Sequence, residues 1–402
     1  MKVGKYFRQG SLLILKGKRK TVNPLTQKPF IIGVDARPLS TPVSGVGRLI
    51  SATLKGFEGD PRFSFRLFSN RPLHASHAGL TNLPNVSVEV GEGYLAKKGG
   101  LYFGLALPWL LRRDRVDLFW GTQQVLPPFF PSNIPTVLTC VDFVIYKFPD
   151  TMRRLARLQQ ALLIHWSAKR ANKILPISRA VGDEAKSYFK IPESKISVVY
   201  PGYDPDDIRR TPAKPPTKRV ANLPSKYFLS VSTVEPRKNY GFLRQAYLEY
   251  LKIAGNKPRL WVHAGKAGWE NPDLVETMRA DSKSGKMLWI EAPSDEELHY
   301  LYSKTDLFLF PSLYEGFGIP LVEALAHGKQ CLVADLPVFR EIGGKSIVYE
   351  STRDPIKWAE ALQNYCVKPW KLPKPNLKKF EMLHSAKLTR DVFLEFLKGK
   401  SN

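Results

Sequence analysis

The sequence is short of acid. Of its 402 residues, 36 are aspartate or glutamate against 61 lysine or arginine, a formal net charge of +25. That imbalance implies an anionic counterpart: nucleic acid, a membrane leaflet or a phosphorylated substrate. Cysteine is scarce too. Cys140, Cys331 and Cys366 lie far apart, with neither disulfide nor metal-ligand spacing, which fits a reducing cytosol. No apolar run is long enough to cross a bilayer, and Ser11-Leu12-Leu13-Ile14-Leu15 is too short for the core of a signal peptide. Tandem repeats are missing. So are the RNP, zinc-finger and basic-zipper patterns, and nucleic acid is therefore not the expected partner. Apart from Lys16-Gly17-Lys18-Arg19-Lys20, the positive residues are scattered along the chain. A membrane surface together with pyrophosphate ligands accounts for them.

What is present suits two globular domains, since 402 residues with 43% hydrophobic content can bury two cores. Residues 1–29 are a basic extension ahead of the first strand, Phe30 to Asp35. The loop Ser44-Gly45-Val46-Gly47-Arg48 follows, with a helix expected from about Leu49. A strand, glycine loop and helix can cradle phosphate, although Gly-x-Gly alone is a weak signal. Strands are expected at Phe63–Phe68, Val86–Val90, Asp117–Trp120, Pro135–Thr139 and Ile174–Ser178. The apolar stretch Leu101 to Leu111 is expected to be a core helix, with Arg112-Arg113-Asp114-Arg115 at its solvated end. An interfacial membrane segment is its alternative. Asp142 ends the Pro135–Thr139 strand, where ligand crevices form in parallel sheets, and serves either a sugar hydroxyl or the cap of the next turn. Asp204-Pro205-Asp206 has metal-binding spacing but leads into a proline-rich stretch, and no metal is assigned to it. Residues 205–225 form the linker, the second domain spans 226–378, and 379–402 is a terminal helix.

The most informative stretch runs from Leu307 to Ala326. Leu307-Phe308-Leu309-Phe310 reads as a buried strand, Gly316 and Gly318 as a turn, and Pro320 as the first turn of a helix. Amides and a helix dipole then point at one spot, which favours an anion. Glu315 and Glu323 bracket that spot. Carboxylates repel phosphate, so the pair should face hydroxyls instead. A nucleotide diphosphate sugar offers both groups. Upstream, Glu235-Pro236-Arg237-Lys238-Asn239 puts two cations between a strand and a helix, where a diphosphate can meet them. His263, in Leu260-Trp261-Val262-His263-Ala264-Gly265, is expected to be structural.

Pro311-Ser312-Leu313-Tyr314-Glu315-Gly316-Phe317-Gly318-Ile319-Pro320-Leu321-Val322-Glu323-Ala324 resembles the E-x7-E motif of retaining glycosyltransferases of the GT-B fold. It is most similar to the mannosyltransferase-like subgroup that builds bacterial surface polysaccharides. Thr233 to Asn239 resembles a second motif of that family, Ser44–Leu49 its Gly-Ile-Gly-Arg-Tyr segment, and Phe339 to Gly344 loosely a later loop. Val141-Asp142 stands where the family carries His-Asp, which removes the histidine contact.

The resemblance implies an α/β protein of two Rossmann-like domains, 30–204 and 226–378, facing across a cleft. The helix Phe380–Leu397 would return to the first domain. It also implies metal-independent transfer of a hexose from a nucleotide diphosphate sugar to a saccharide or lipid-linked acceptor, without a cofactor. The enzyme would be cytoplasmic, on the inner face of an anionic membrane. In that scheme Arg237 and Lys238 stabilise the leaving diphosphate and Glu315 orients the donor sugar. Phe317, Gly318, Ile319 and Gly316 contribute backbone contacts, Glu323 holds the ribose, Gly45 and Gly47 approach the diphosphate or the acceptor, and Asp142 serves a hydroxyl. A donor-binding but inactive relative and a basic scaffold for nucleic acid or membrane are the alternatives.

Overall fold

A computed structural model of the protein describes residues 28–42, 44–148, 154–268 and 272–398. The basic extension expected at 1–29 falls almost wholly outside them.

Two six-stranded sheets organise the chain, every strand pair parallel. The first contains β1 (Phe30–Asp35), β2 (Phe63–Ser69), β3 (Val86–Val90), β4 (Leu118–Gly121), β5 (Thr136–Cys140) and β6 (Lys173–Pro176), in the order β3-β2-β1-β4-β5-β6. The second contains β7 (Tyr227–Val231), β8 (Leu260–Ala264), β9 (Met287–Ile290), β10 (Leu307–Phe310), β11 (Gln330–Ala334) and β12 (Val348–Glu350), in the order β12-β11-β10-β7-β8-β9. Both are doubly wound α/β sheets, as the sequence pattern implies. In each, the chain reverses direction between the first and fourth strands of its half. Ligands bind at such switch points, because the loops leaving adjacent strands diverge and open a crevice.

The strands are short, apolar and buried on both faces, as parallel strands must be. The terminal helix Met382–Leu397 returns to the first sheet. Phe393 lies against Phe57 and Trp120, and Arg390 pairs with Asp60 at 2.9 Å. Each fully buried aromatic or aliphatic side chain in this seam contributes about 2 kcal/mol.

Three expectations change. The first helix begins at Gly45 rather than near Leu49, because the Ser44 hydroxyl accepts the Gly47 N–H at 3.1 Å and caps it. The stretch from Leu101 is helical, but Tyr102, Phe103, Leu107, Pro108, Leu110 and Leu111 are buried, whereas Leu101, Leu105 and Trp109 face solvent. The linker is fastened to the second domain. Val220 is fully buried, and Thr217 and Arg219 both bind the buried carboxylate of Glu297.

Candidate active site

β7 and β10 are neighbours, paired through Leu307–Phe228 and Phe308–Leu229, so the loops after Val231 and Phe310 leave the sheet side by side at the switch point. Two hydrogen bonds lace these loops together. Leu313 N–H donates to the Arg237 carbonyl at 2.8 Å, and the Asn239 amide donates to the Pro311 carbonyl at 3.3 Å. Arg237 and Lys238 sit in the tight turn Pro236–Lys238, which Asn239, at φ +60°, bends into the helix Tyr240–Ile253.

The two cations converge on Glu315. Lys238 Nζ stands 2.5 Å from one carboxylate oxygen, which also accepts the Ser312 hydroxyl at 2.8 Å; Arg237 Nη1 stands 2.9 Å from the other. All three residues are largely buried, and Arg237 Nε also reaches Glu235 at 3.1 Å. Burial alone would raise the Glu315 carboxyl, but Lys238 and Arg237 outweigh it and hold the group below the usual glutamate range. For Lys238 burial prevails, and its ammonium is pulled down in spite of Glu315. The Phe310 ring lies 5.2 Å beneath it. Burial also works against the Arg237 guanidinium, yet Glu315, Glu235 and Asp142 raise it.

Glu323 belongs to a second cluster. The helix Ile319–Ala326 starts at Ile319, which puts Glu323 in its second turn. One of its oxygens accepts the Tyr302 hydroxyl at 2.9 Å, and the other pairs with Arg48 at 2.6 Å. Arg48 comes from the first domain and also reaches Asp295 at 2.5 Å. Its neighbour Gly45 faces Ile319, whose Cδ1 lies 3.7 Å from the position of a Gly45 Cβ. The first domain's glycine segment thus meets the motif helix. Gly47 points elsewhere, toward the His77 ring.

The first domain also grips the loop that carries Glu315. The Tyr314 hydroxyl accepts the Phe143 N–H at 2.8 Å and donates to Glu184 at 2.7 Å. Ser178 donates to the Gly316 carbonyl at 2.7 Å. Gly316 must be glycine, since the Val141 carbonyl oxygen lies 1.9 Å from where its Cβ would stand. Gly318 is required for a different reason, its φ of +123°. The Phe317 ring packs between Tyr200 and Phe380.

Asp142 lies against the same loop. Burial raises its carboxyl, with Arg237 and the Val144 N–H opposing. Its Oδ1 accepts that N–H at 3.2 Å, so it also caps the turn. Gln124 pins the strand end, donating to the Asp142 carbonyl at 2.9 Å and accepting the Val141 N–H at 3.2 Å. Asp204 caps the helix Pro205–Arg209, and Asp206 pairs with Arg209. His263, buried among Tyr240, Trp261 and Trp289, is pushed down to about 3 by burial and stays neutral.

The structure therefore gathers Arg237, Lys238, Glu315 and Asp142 at one seam, with Gly316 in its wall, and sets Glu323 beside Gly45 and Ile319. Arg48, Tyr302, Tyr314 and Ser178 went unrecognised in the sequence. Arg48 stands within the Gly-x-Gly-Arg segment, but its partner is 275 positions away. At this seam two largely buried cations are held against a single carboxylate, Glu315.

Residues 43–207 match the family described as Glycosyltransferase Family 4, and residues 214–371 match Glycosyl transferases group 1. The chain is 26% identical over 263 residues to the O-antigen chain mannosyltransferase RfbU of Salmonella typhimurium, covering 65% of this chain and 68% of that protein. It is 30% identical over 304 residues to the serotype-specific mannosyltransferase WbdA of Escherichia coli, covering 70% of this chain and 37% of WbdA. Among solved structures, Anabaena HepE in complex with UDP-glucose superposes with a TM-score of 0.62 at 16% identity, over 92% of this chain and 99% of that one. WaaG, a glycosyltransferase of lipopolysaccharide biosynthesis, does so with a TM-score of 0.62 at 14% identity, over 90% and 99%.

Proposed function

The chain belongs to the GT-B glycosyltransferases, a family 4 domain followed by a group 1 domain, and on that premise we propose that it moves a hexose, mannose by preference, from a nucleotide diphosphate sugar to a saccharide acceptor of surface-polysaccharide synthesis, with retention at the anomeric carbon. The observation that carries the reading is the convergence of Arg237 and Lys238 on Glu315 at the switch point of the second sheet. When the donor binds, its diphosphate takes over the two cations, and they stabilise the charge that grows as the sugar leaves. Glu315, released from them, turns to the hydroxyls of the transferred sugar. Glu323 exchanges Arg48 for the ribose hydroxyls, and Arg48 becomes a third cation facing the diphosphate. The departing phosphate takes the acceptor proton, so Asp142 orients a hydroxyl and need not act as a strong base. The proposed acceptor is lipid-linked, and the proposed place of work is the inner face of the cytoplasmic membrane. The mannose preference rests on the mannosyltransferases RfbU and WbdA.

The test is a panel of nucleotide diphosphate sugars incubated with lipid-linked oligosaccharide. Release of nucleoside diphosphate that depends on the acceptor and is lost in Lys238→Met supports the assignment. Turnover unchanged in that variant refutes it. A second reading is favoured by Val141, whose side chain offers no hydrogen bond at the end of β5. It is a donor-binding protein without transferase activity, and it predicts tight nucleotide-sugar binding with no product on any acceptor.

A further inference from the structure

The outer face of the first domain carries two exposed apolar stripes of the same design. In the helical run 99–113, Leu101, Leu105 and Trp109 stand four residues apart and are exposed, Trp109 by 58%. In the helix Arg154–Arg170, Leu158, Leu162 and Trp166 repeat that spacing, with Leu162 64% exposed. Residues four apart share one side of a helix, so each set is a continuous ridge ending in tryptophan. Phe129, in the connection between β4 and β5, is exposed as well.

The sheet register puts these ridges on one side of the domain. Gly33 pairs with Phe119 and shares its face; a Cβ on Gly33 would touch Leu111, and Phe119 packs on Phe130. Arg170 lies over Phe130, and Leu126 N–H donates to Ser167, which ties the second helix to the same layer. The adjacent pair Val34–Trp120 faces the other way, toward Phe393 of the terminal helix. Crossover handedness agrees: β3 to β4 and β5 to β6 advance in the same direction along the sheet, so their helices cover the same face.

Charge is one-sided here. No aspartate or glutamate occurs between Glu92 and Asp114, between Asp117 and Asp142, or between Asp150 and Asp183. Lys97, Lys98, Arg112 and Lys169 border the ridges, are exposed, and form no ion pair among the described residues. Arg113 stacks on Trp109 at 5.1 Å and is the neighbour already tied to Glu89 and Asp114.

We propose that this face, centred on Trp109, Leu162 and Trp166, docks the enzyme on an anionic lipid bilayer. Aliphatic ridges enter the acyl boundary, tryptophans sit at headgroup level, and Lys97, Lys98, Arg112 and Lys169 meet lipid phosphates. Among the described residues no helix is long and apolar enough to cross a membrane, and docking needs none. The inference gives the lipid-linked acceptor proposed above a surface to arrive on, but it rests on the exposed ridges rather than on the transfer reaction.

The experiment is co-sedimentation of the full chain with vesicles of phosphatidylglycerol and phosphatidylethanolamine, against phosphatidylcholine alone, at low and high salt. Wild type is expected to pellet with the anionic vesicles, less so in high salt. Trp109→Glu combined with Leu162→Glu should reduce partitioning at least about tenfold. GDP and UDP binding by the variant, measured in the same preparation, should match wild type, which separates this surface from the donor site and from misfolding. Equal vesicle binding by wild type and variant overturns the proposal, because the membrane contact then lies elsewhere. So does a wild-type dimer that the substitutions convert to monomer, which would give the face to a second copy of the chain.

Discussion

Replacing Lys238 by methionine keeps most of the unbranched apolar body of the side chain and removes the ammonium. Its Nζ is 2.5 Å from Glu315 in a site that is almost fully buried. Losing one partner of such a pair costs several kcal/mol when the remaining charge is left alone. Glu315 is not left alone, because Arg237 holds it at 2.9 Å and Ser312 at 2.8 Å. A penalty of about 2–3 kcal/mol follows, a fall in melting temperature of roughly 5–10 °C for a domain of this size. Glu315 is now held below the usual glutamate range. A depressed carboxylate stabilises the fold above its unfolded pKa and loses that contribution as pH falls through the folded value. With Lys238 gone the folded value rises, so the window narrows and acid unfolding begins at higher pH. The catalytic effect should be larger. One cation withdrawn from a leaving diphosphate costs about 100- to 1,000-fold in turnover. The double variant Lys238→Met/Glu315→Gln separates the two effects, because it removes both charges and should recover most of the stability with none of the activity. Thermal melts at two pH values and a nucleoside diphosphate release assay read all of this. Single-variant turnover within about threefold of wild type, or a double variant no more stable than the single one, would refute the reasoning.

Three further outcomes follow from the geometry. Glu323→Gln should weaken GDP or UDP binding about tenfold or more by calorimetry without weakening pyrophosphate binding, since the charged hydrogen bond proposed to ribose is lost while Arg48 is freed from its partner. Gly316→Ala places a methyl on the Val141 carbonyl, so the seam must open; a loss of about 1–3 kcal/mol and a sharp drop in turnover are expected in melts and activity assays. Glu297, bound by Arg219 and buried, is held down at about 2 against an ordinary 4.5. Its stabilisation of about 2 kcal/mol is complete above that ordinary value and disappears as pH falls toward 2. Glu297→Gln should therefore melt earlier at neutral pH and lose less on acidification.

The sequence alone carried the alternation of strands and glycine turns, and with it the α/β class and the two-sheet architecture. Leu307 to Phe310 could be buried only as a strand between helices, and Pro320 could begin a helix but not continue a strand. Local chemistry was enough there, because hydrophobic period and backbone restriction act over a few residues. It also singled out Arg237, Lys238, Glu315 and Glu323 as charges beside helix starts. It misjudged the start of the first helix by treating Gly45 and Gly47 as loop, although Ser44 was a legible cap. It took Leu101–Leu111 for core because its apolar residues do not reveal which of them find partners. Only the tertiary structure decided that Lys238 and Arg237 share Glu315, that Arg48 crosses to Glu323, and that Val141 fills the space Gly316 leaves open. These contacts join residues tens to hundreds of positions apart. They depend on strand order and on how the two domains meet, which no local pattern encodes.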